Sequence, residues 1–476
     1  MNIVEAQFAF NEFTLCSLKR TLVCGKITYC EQIFFFERGF FMHAENIMMH
    51  IDVNSAFLSY EATYRLQHGD PVDLRKIVAV IGGSEEKRHG IVLAKSDPAK
   101  KKGIKTGESL MEARHKAPNL TVISPTYGVY VRASNAMIDF LSQYSPDILQ
   151  FSIDEVFMNY HGCKIYDGSI YNTGKKISRE LSAELGFTVN IGISTNMILA
   201  KMASELEKPN KVHTIFPDEI AEKMWPLPVG ELYMCGYRTA SKLNNIGINT
   251  IGDLAKMDVN ALRILLKSHG AMLHNYANGI YVESDKGGAG YFQGMHVFTE
   301  DNARPFTAKG VGNSSTIHFD VTDKDVAKKV LLSLSETVGV RLRNMGSAGY
   351  VLSLGFRDSE LKSHRKQHKF PTATNDTTDI YLRACFLLDQ LWNDEPIRQL
   401  RIKVGTLIEA KHMQLSIYDG EDVVKRIELS RTIDEVRNKY GRKSIYRCVF
   451  LDKEISPNLG GTDDNNHKVD GRRVDL

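Results

Sequence analysis

The sequence predicts an α+β multidomain protein organised around a ferredoxin-like sheet, and three observations predict it. At 476 residues the chain exceeds what one compact core holds, and length alone points to roughly three or four domains. From Ile47 to Lys208 strand and helix periods alternate in a β-α-β-β-α-β order, the pattern of a ferredoxin-like sheet with its helices on one face. Beyond it the pattern changes twice, to short helices with turns and then to a second α/β block from about Asn302 to Glu409.

Each element has a local reason. The strand "IMMHID" passes at once into a helix from Asn54 to about His68, which Asn54 or Ser55 is placed to cap. A small segment follows, with strands "KIVAVIG" and "GIVLAKS" and then "EARHKAP", a helix ending before Pro118. "YGVYVRASNAMIDFLSQYS" is helical and "ILQFSIDEVFMNY" is a strand carrying an acidic turn. "GKKISRELSAELG" is helical, "FTVNIGIS" is a strand, and "NMILAKMASELEK" is a helix that Pro209 stops. Short helices after "WPLPVG" reach about Asn278, and "ESDKGGAG" links them to the second α/β block. The closing "GGTDDNNHKVDGRRVDL" has almost no apolar content and is expected to be disordered.

Composition narrows the function classes. Apolar residues make up 43% and charged residues 25%, ordinary for a soluble globular chain. No uncharged apolar run reaches the roughly eighteen residues of a membrane span, and Glu37 and Arg38 break the longest candidate, "QIFFFERGFF". Seven cysteines with no CxxC pair or metal-ligand spacing fit a reduced, cytoplasmic chain, and the N-terminus lacks the positive start of a secretory signal. A formal net charge of +3 names no partner, so a nucleic-acid surface must rest on local patches. Two exist: Lys100, Lys101, Lys102 with Lys105, and "KSHRKQHKF" from Lys362 to Phe370.

The chemistry lies in three carboxylates. Asp52 ends the first strand, and Asp154 and Glu155 occupy the turn in "FSIDEVF". The first and third strands of a ferredoxin-like sheet are central neighbours, so the three groups are expected to converge. Like charges that close repel, and such a cluster needs cations. Hard oxygen ligands with places left for phosphate oxygens suit magnesium, and two such ions serve an in-line phosphoryl transfer. Singly, each motif has a plainer explanation, a helix-capping aspartate or a chance acidic turn; order, spacing and strand context together carry the inference.

"HIDVNSAF", "YSPDILQFSIDEVF", "VNIGISTNMILAKMASELEKPNKV" and "WPLPVGELY" together resemble the Y-family translesion DNA polymerases, and among them the bacterial DNA polymerase IV group, from about Ile47 to Phe450. The resemblance implies a right-hand polymerase: palm at 47–60 and 127–225, small fingers at 61–126, a helical thumb at 226–290, a little finger at 297–410 and a tail at 411–476. It implies error-prone, template-directed extension of a primer 3′ end from dNTPs. Two Mg²⁺ ions would be held by Asp52, the Val53 carbonyl, Asp154 and Glu155. Phe57 matches the steric gate against a ribose 2′ hydroxyl, and Lys208 matches the lysine that meets the triphosphate. Lys100 falls where an arginine is usual, losing a bidentate fork while keeping the charge, and Ser96 falls where a polar group occurs. Asp97 is set aside because a carboxylate beside phosphate is unfavourable.

The resemblance also implies how DNA is held. "ELYMCGYRTASKLNNIGI" falls at a helix-hairpin-helix whose amides grip phosphate, with Gly236 and Gly247 as its glycines and Met234 replacing the first glycine of the usual pair. "KGVGNSSTIHF" and "KSHRKQHKF" would lie as strands along the duplex backbone. "QLSIYD" resembles the peptide that binds the bacterial sliding clamp, with Gln414, Leu415, Ile417 and Tyr418 as its anchors. The expected partners are primer-template DNA, dNTPs and the clamp, with no membrane and a monomeric chain.

Two rival readings are a polymerase-like scaffold that binds DNA and clamp without catalysis, and a nucleotidyl cyclase. The carboxylates oppose the first and the DNA-grip modules the second. Residues 1–46 are phenylalanine-rich, carry three of the seven cysteines and show no regular period. Family members begin near the first strand, so residues 1–41 are expected to be translated leader, with Met42, Met48 or Met49 as the start.

Overall fold

A computed structural model gives the fold and describes residues 46–83, 90–281, 308–413, 421–441, 444–452 and 455–457. The expectations for residues 1–41 and for Gln414, Leu415, Ile417 and Tyr418 fall outside these residues.

Strand β1 (Met48–Val53) is buried along its whole length, as a near-continuous apolar run requires of a strand covered on both faces. Helix α1 (Ala56–Gln67) follows after a tight turn. The expected cap is absent: Ser55 precedes the helix in the left-handed region, φ 49°, and makes no side-chain cap bond, while Asn54 is engaged elsewhere. A three-stranded sheet comes next, made of β2 (Ala79–Gly82), β3 (Val92–Lys95) and β4 (Thr121–Ile123) in the order β3-β2-β4. It carries two short helices, α2 (Asp97–Lys101) and α3 (Leu110–Lys116), the latter closed by a Ser109–Glu112 capping box.

The chain then builds the central sheet. After α4 (Tyr127–Leu141) come β5 (Ile148–Gln150) and β6 (Glu155–Asn159), the two arms of the acidic turn. Helix α5 (Ile170–Leu185), β7 (Val189–Ser194), α6 (Met197–Glu205) and β8 (Val212–Thr214) complete it. Strand order is β5-β6-β1-β7-β8, with β1 antiparallel to both β6 and β7, and the first four strands reproduce the ferredoxin-like arrangement. Met49, Ile51 and Val53 point into the core shared with α4 and α5. Met48 and His50 point the other way, toward α6, so helices cover both faces rather than one. Gly192 in β7 makes that second layer possible, because a Cβ there would lie 1.9 Å from the Ala200 carbonyl oxygen of α6.

Four helices, α7 (Tyr237–Asn244), α8 (Ile251–Lys256), α9 (Val259–Leu266) and α10 (Ser268–Ala277), share the apolar core on the α6 side. A second unit consists of β9 (Gly310–Val321), α11 (Lys324–Asn344), β10 (Ser347–Asp358), β11 (Ser363–Thr374), α12 (Thr377–Leu391) and β12 (Ile397–Glu409). Its antiparallel sheet has the order β11-β10-β12-β9. Leu352, Leu354 and Phe356 pack under the helices, while Arg365, Lys366, Arg401 and Lys403 line a groove beside Ser353 and Gly355.

In the region expected as tail, described residues pack against the second unit. Helix α13 (Glu421–Tyr440) is joined to the second unit by ion pairs: Asp434 with Arg343, each about nine-tenths buried, and Arg437 with buried Glu336, which also accepts from Arg447. Phe450 and Ile455 complete the same apolar core. A helix with no apolar stripe is thus held by buried charges, which are costly to break one partner at a time.

Candidate active site

The end of β1 brings the predicted carboxylates together through the backbone. Asp52 and Glu155 are direct register partners across β1 and β6, and the Val53 amide donates to the Asp154 carbonyl at 3.0 Å. The turn between β5 and β6 is clasped by Ser152, whose hydroxyl accepts from the Glu155 amide at 3.0 Å and bonds the Asp154 carboxylate. The Tyr60 hydroxyl of α1 donates to the Ile153 carbonyl at 3.1 Å and fastens the turn from the other side.

The side chains, however, do not close on a common point. Among the described residues no three His, Cys, Asp or Glu groups stand close enough to form a ready metal cage. Each carboxylate is held by its own partner: Asp52 by the Lys208 ammonium, Asp154 by Ser152, and Glu155 by Lys201 at 2.9 Å. The expected convergence is therefore one of the backbone, with Asp52 and Glu155 each paired to its own lysine and Asp154 hydrogen-bonded to a serine. The donor set, three carboxylates on adjoining strand ends, still fits a hard divalent cation.

Their electrostatics differ. Burial pushes the Asp52 carboxyl up to about 6 against the attraction of Lys208, and Glu205 and Glu155 push the same way. Burial also raises Asp154, opposed by the Ser152 hydrogen bond. Burial would raise Glu155 too, but His50 and Lys201 outweigh it and hold it at about 2. His50 is fully buried, which lowers it to about 4; its Nδ1 pairs with the Ser204 hydroxyl at 2.7 Å, and its Nε2 stands 3.8 Å from Glu155 with no hydrogen-bond partner.

A cavity of about 340 Å³ opens beside this cluster, and Asp52, Val53, Phe57, Lys100, Asp154 and Lys208 all line it. Phe57 stacks on Tyr130 with ring centroids 4.7 Å apart, and Tyr130 in turn donates to buried Glu61 at 3.0 Å. The wall at Phe57 is thus backed by two layers. Lys208 is placed by asparagines: the Asn54 side chain accepts from the Asn210 amide at 2.9 Å and donates to Asn190 at 3.1 Å. Asn190 donates to the Glu207 carbonyl at 2.6 Å, so both ends of the lysine's loop are pinned to β1 and β7.

Two predicted residues sit differently from expectation. Ser96 does not line the cavity; it is 2% exposed, donates to the Ile77 carbonyl at 2.7 Å and caps α2 by accepting from Ala99 at 3.2 Å. Its hydroxyl is spent on the fold, and Asp97, set aside on charge grounds, is the one that lines the cavity. Gly236 caps α7 with an ordinary φ of −67°, whereas Met234 takes the left-handed conformation, φ 70°, that a glycine would supply. His269 contacts the Met234 carbonyl at 3.3 Å. Gly247, φ 86°, turns the chain after α7 as expected. Nothing in the sequence singles out Lys201, Asn190 or Tyr130, and Asn54 reads there only as a helix cap.

The chain is 42% identical to the DNA polymerase IV of Clostridium acetobutylicum over 408 residues, 86% of this chain and 99% of that protein. The chain belongs to the Y-family DNA polymerases. The impB/mucB/samB family description matches residues 51–205, and that of its C-terminal domain matches residues 308–417. The polymerase is also 32% identical to the DNA polymerase IV 1 of Bacillus subtilis over 416 residues, covering 87% of this chain and 95% of that one. A solved Y-family polymerase chimera of Dbh and Dpo4 shares the fold, with TM-score 0.61 and 21% identity over 76% of this chain and 99% of the chimera. Among the described residues no helix is long and apolar enough to cross a membrane.

The opposed shifts give a pH signature. Glu155, depressed in the fold, contributes stability that is present above its unfolded value of 4.5 and is lost as pH falls toward about 2. Glu155→Gln is expected to cost on the order of 2–3 kcal/mol at pH 7, with the gap to the parent narrowing below pH 4.5. Denaturant unfolding of both proteins at pH 7 and pH 4 measures it, and a gap independent of pH would contradict the assignment.

Proposed function

We propose that this DNA-directed DNA polymerase carries out translesion synthesis at the cavity between β1 and the three-stranded sheet, joining nucleotides from dNTPs to a primer 3′ end. The observation that carries the reading is one cavity lined by carboxylates at one end, lysines beside them and a backed aromatic wall. Asp52, the Val53 carbonyl, Asp154 and Glu155 would hold two Mg²⁺ ions. When bound, the ions supply activation of the attacking hydroxyl and stabilisation of the leaving oxygen.

The chain's own residues do the rest. Lys208 and Lys100 offer positive charge to the triphosphate, and Lys208 can exchange Asp52 for phosphate without leaving its pinned loop. Phe57, braced by Tyr130, refuses a 2′ hydroxyl by occupying its space. The turns at Gly236 and Gly247 offer backbone amides to DNA phosphates, and the groove of Arg365, Lys366, Arg401 and Lys403 offers a sequence-independent electrostatic grip. Gln414, Leu415, Ile417 and Tyr418 would dock in a sliding-clamp pocket. The alternative, a DNA- and clamp-binding protein with impaired catalysis, is disfavoured by the complete carboxylate set.

Asp52→Ala is expected to abolish primer extension with magnesium while primer-template affinity, measured by fluorescence anisotropy, persists; extension at the parent rate would remove the metal assignment. Phe57→Ala is expected to admit ribonucleotides, read as a fall in the dNTP-to-rNTP ratio of kcat/KM, and an unchanged ratio would remove the gate. Replacing Gln414 and Leu415 together by alanine should leave unassisted synthesis intact and cancel its stimulation by the clamp. Stimulation that survives the double change would count against the peptide.

A further inference from the structure

One wall of the proposed nucleotide cavity carries a lysine to which the sequence reading assigns no role. Lys95 ends β3, in register with Val80 of β2, and lines the cavity together with Lys100 and Thr106. Its ammonium donates to the Thr106 hydroxyl at 2.9 Å, which uses one of its three donors. The strand end and helix α2 set Lys95 and Lys100 on one short stretch with Ser96 as the buried pivot between them.

Partial burial and the charge of Lys100 both lower the Lys95 ammonium from its ordinary range. Glu108, the carboxylate that offsets this, is itself bound to Lys116 at 2.5 Å. Asp97 also lines the cavity but is exposed. Two cations held toward one space repel, and an anion between them relieves that repulsion.

We propose that Lys95 and Lys100 act as a two-lysine grip on the triphosphate of the incoming nucleotide. An arginine at the Lys100 position would hold phosphate through two parallel donors, whereas a single lysine is a point charge. Lys95 supplies the second point from the neighbouring strand, and with it one further positive charge. The inference rests on the cavity being the nucleotide site, as proposed above.

Lys95→Gln removes the charge and keeps a donor for Thr106. Steady-state primer extension should show its KM for dNTP raised roughly ten- to hundredfold, more than any fall in kcat. Inhibition by inorganic triphosphate should weaken in the same proportion, Lys95→Arg should restore both, and primer-template affinity should stay within about twofold. An unchanged KM, unchanged triphosphate inhibition, or a parallel loss of DNA affinity that would place Lys95 on the template strand each overturns the proposal. A parent protein that extends no primer would instead overturn the polymerase reading, so the two failures are distinct.

Discussion

Asp52 and Glu155 stand opposite each other where β1 and β6 end, and the cost of ionising both at one place shapes what surrounds them. The fold pairs them with two lysines of different burial. Lys201 is buried on α6, with its ammonium over the rings of Phe151 and Tyr233, and stays with Glu155. Lys208 reaches Asp52 from a loop and shares itself with Glu205. Glu155 is therefore held ionised and oriented by a buried cation, while Asp52, raised to about 6, is paired with a more exposed cation that also contacts Glu205.

The carboxylates were legible because sheet order alone makes the first and third strands neighbours, and the spacing of "HID" and "SIDE" puts the acids at matching ends. Lys201 was not: it reads as a polar position on an apolar helix, and its link to Glu155 spans 46 residues and exists only once α6 crosses β1. Asn54 reads as a cap because a helix follows it, but its side chain bonds Thr188, Asn190 and the Asn210 amide instead. Ser96 is the opposite case: Ser before Asp-Pro is itself a helix-start signature, and its hydroxyl is used in capping α2.

The region after β12 shows the same limit in the fold. Helix α13 lacks the apolar periodicity by which a packed helix is recognised, and what attaches it is charge: Asp434 with Arg343, and Glu336 between Arg437 and Arg447. Met234 hides a second exception. Met234, where the motif expects a glycine, itself takes the left-handed conformation in the turn before α7.

The asparagine pins carry a further consequence. Because Asn54 follows Asp52 in sequence and also fastens the loop bearing Lys208, the acidic end of the cavity and its nearest cation share a single mount. A displacement of one is therefore passed to the other. Lys95 and Lys100 belong to the three-stranded sheet and its helix α2; one cluster of that sheet is its own, while Ala79, Ile81 and Ala94 pack with Leu58 and Ala62 of α1. The two lysines are therefore tied to the acidic end through apolar packing on α1 and not through the asparagine mount.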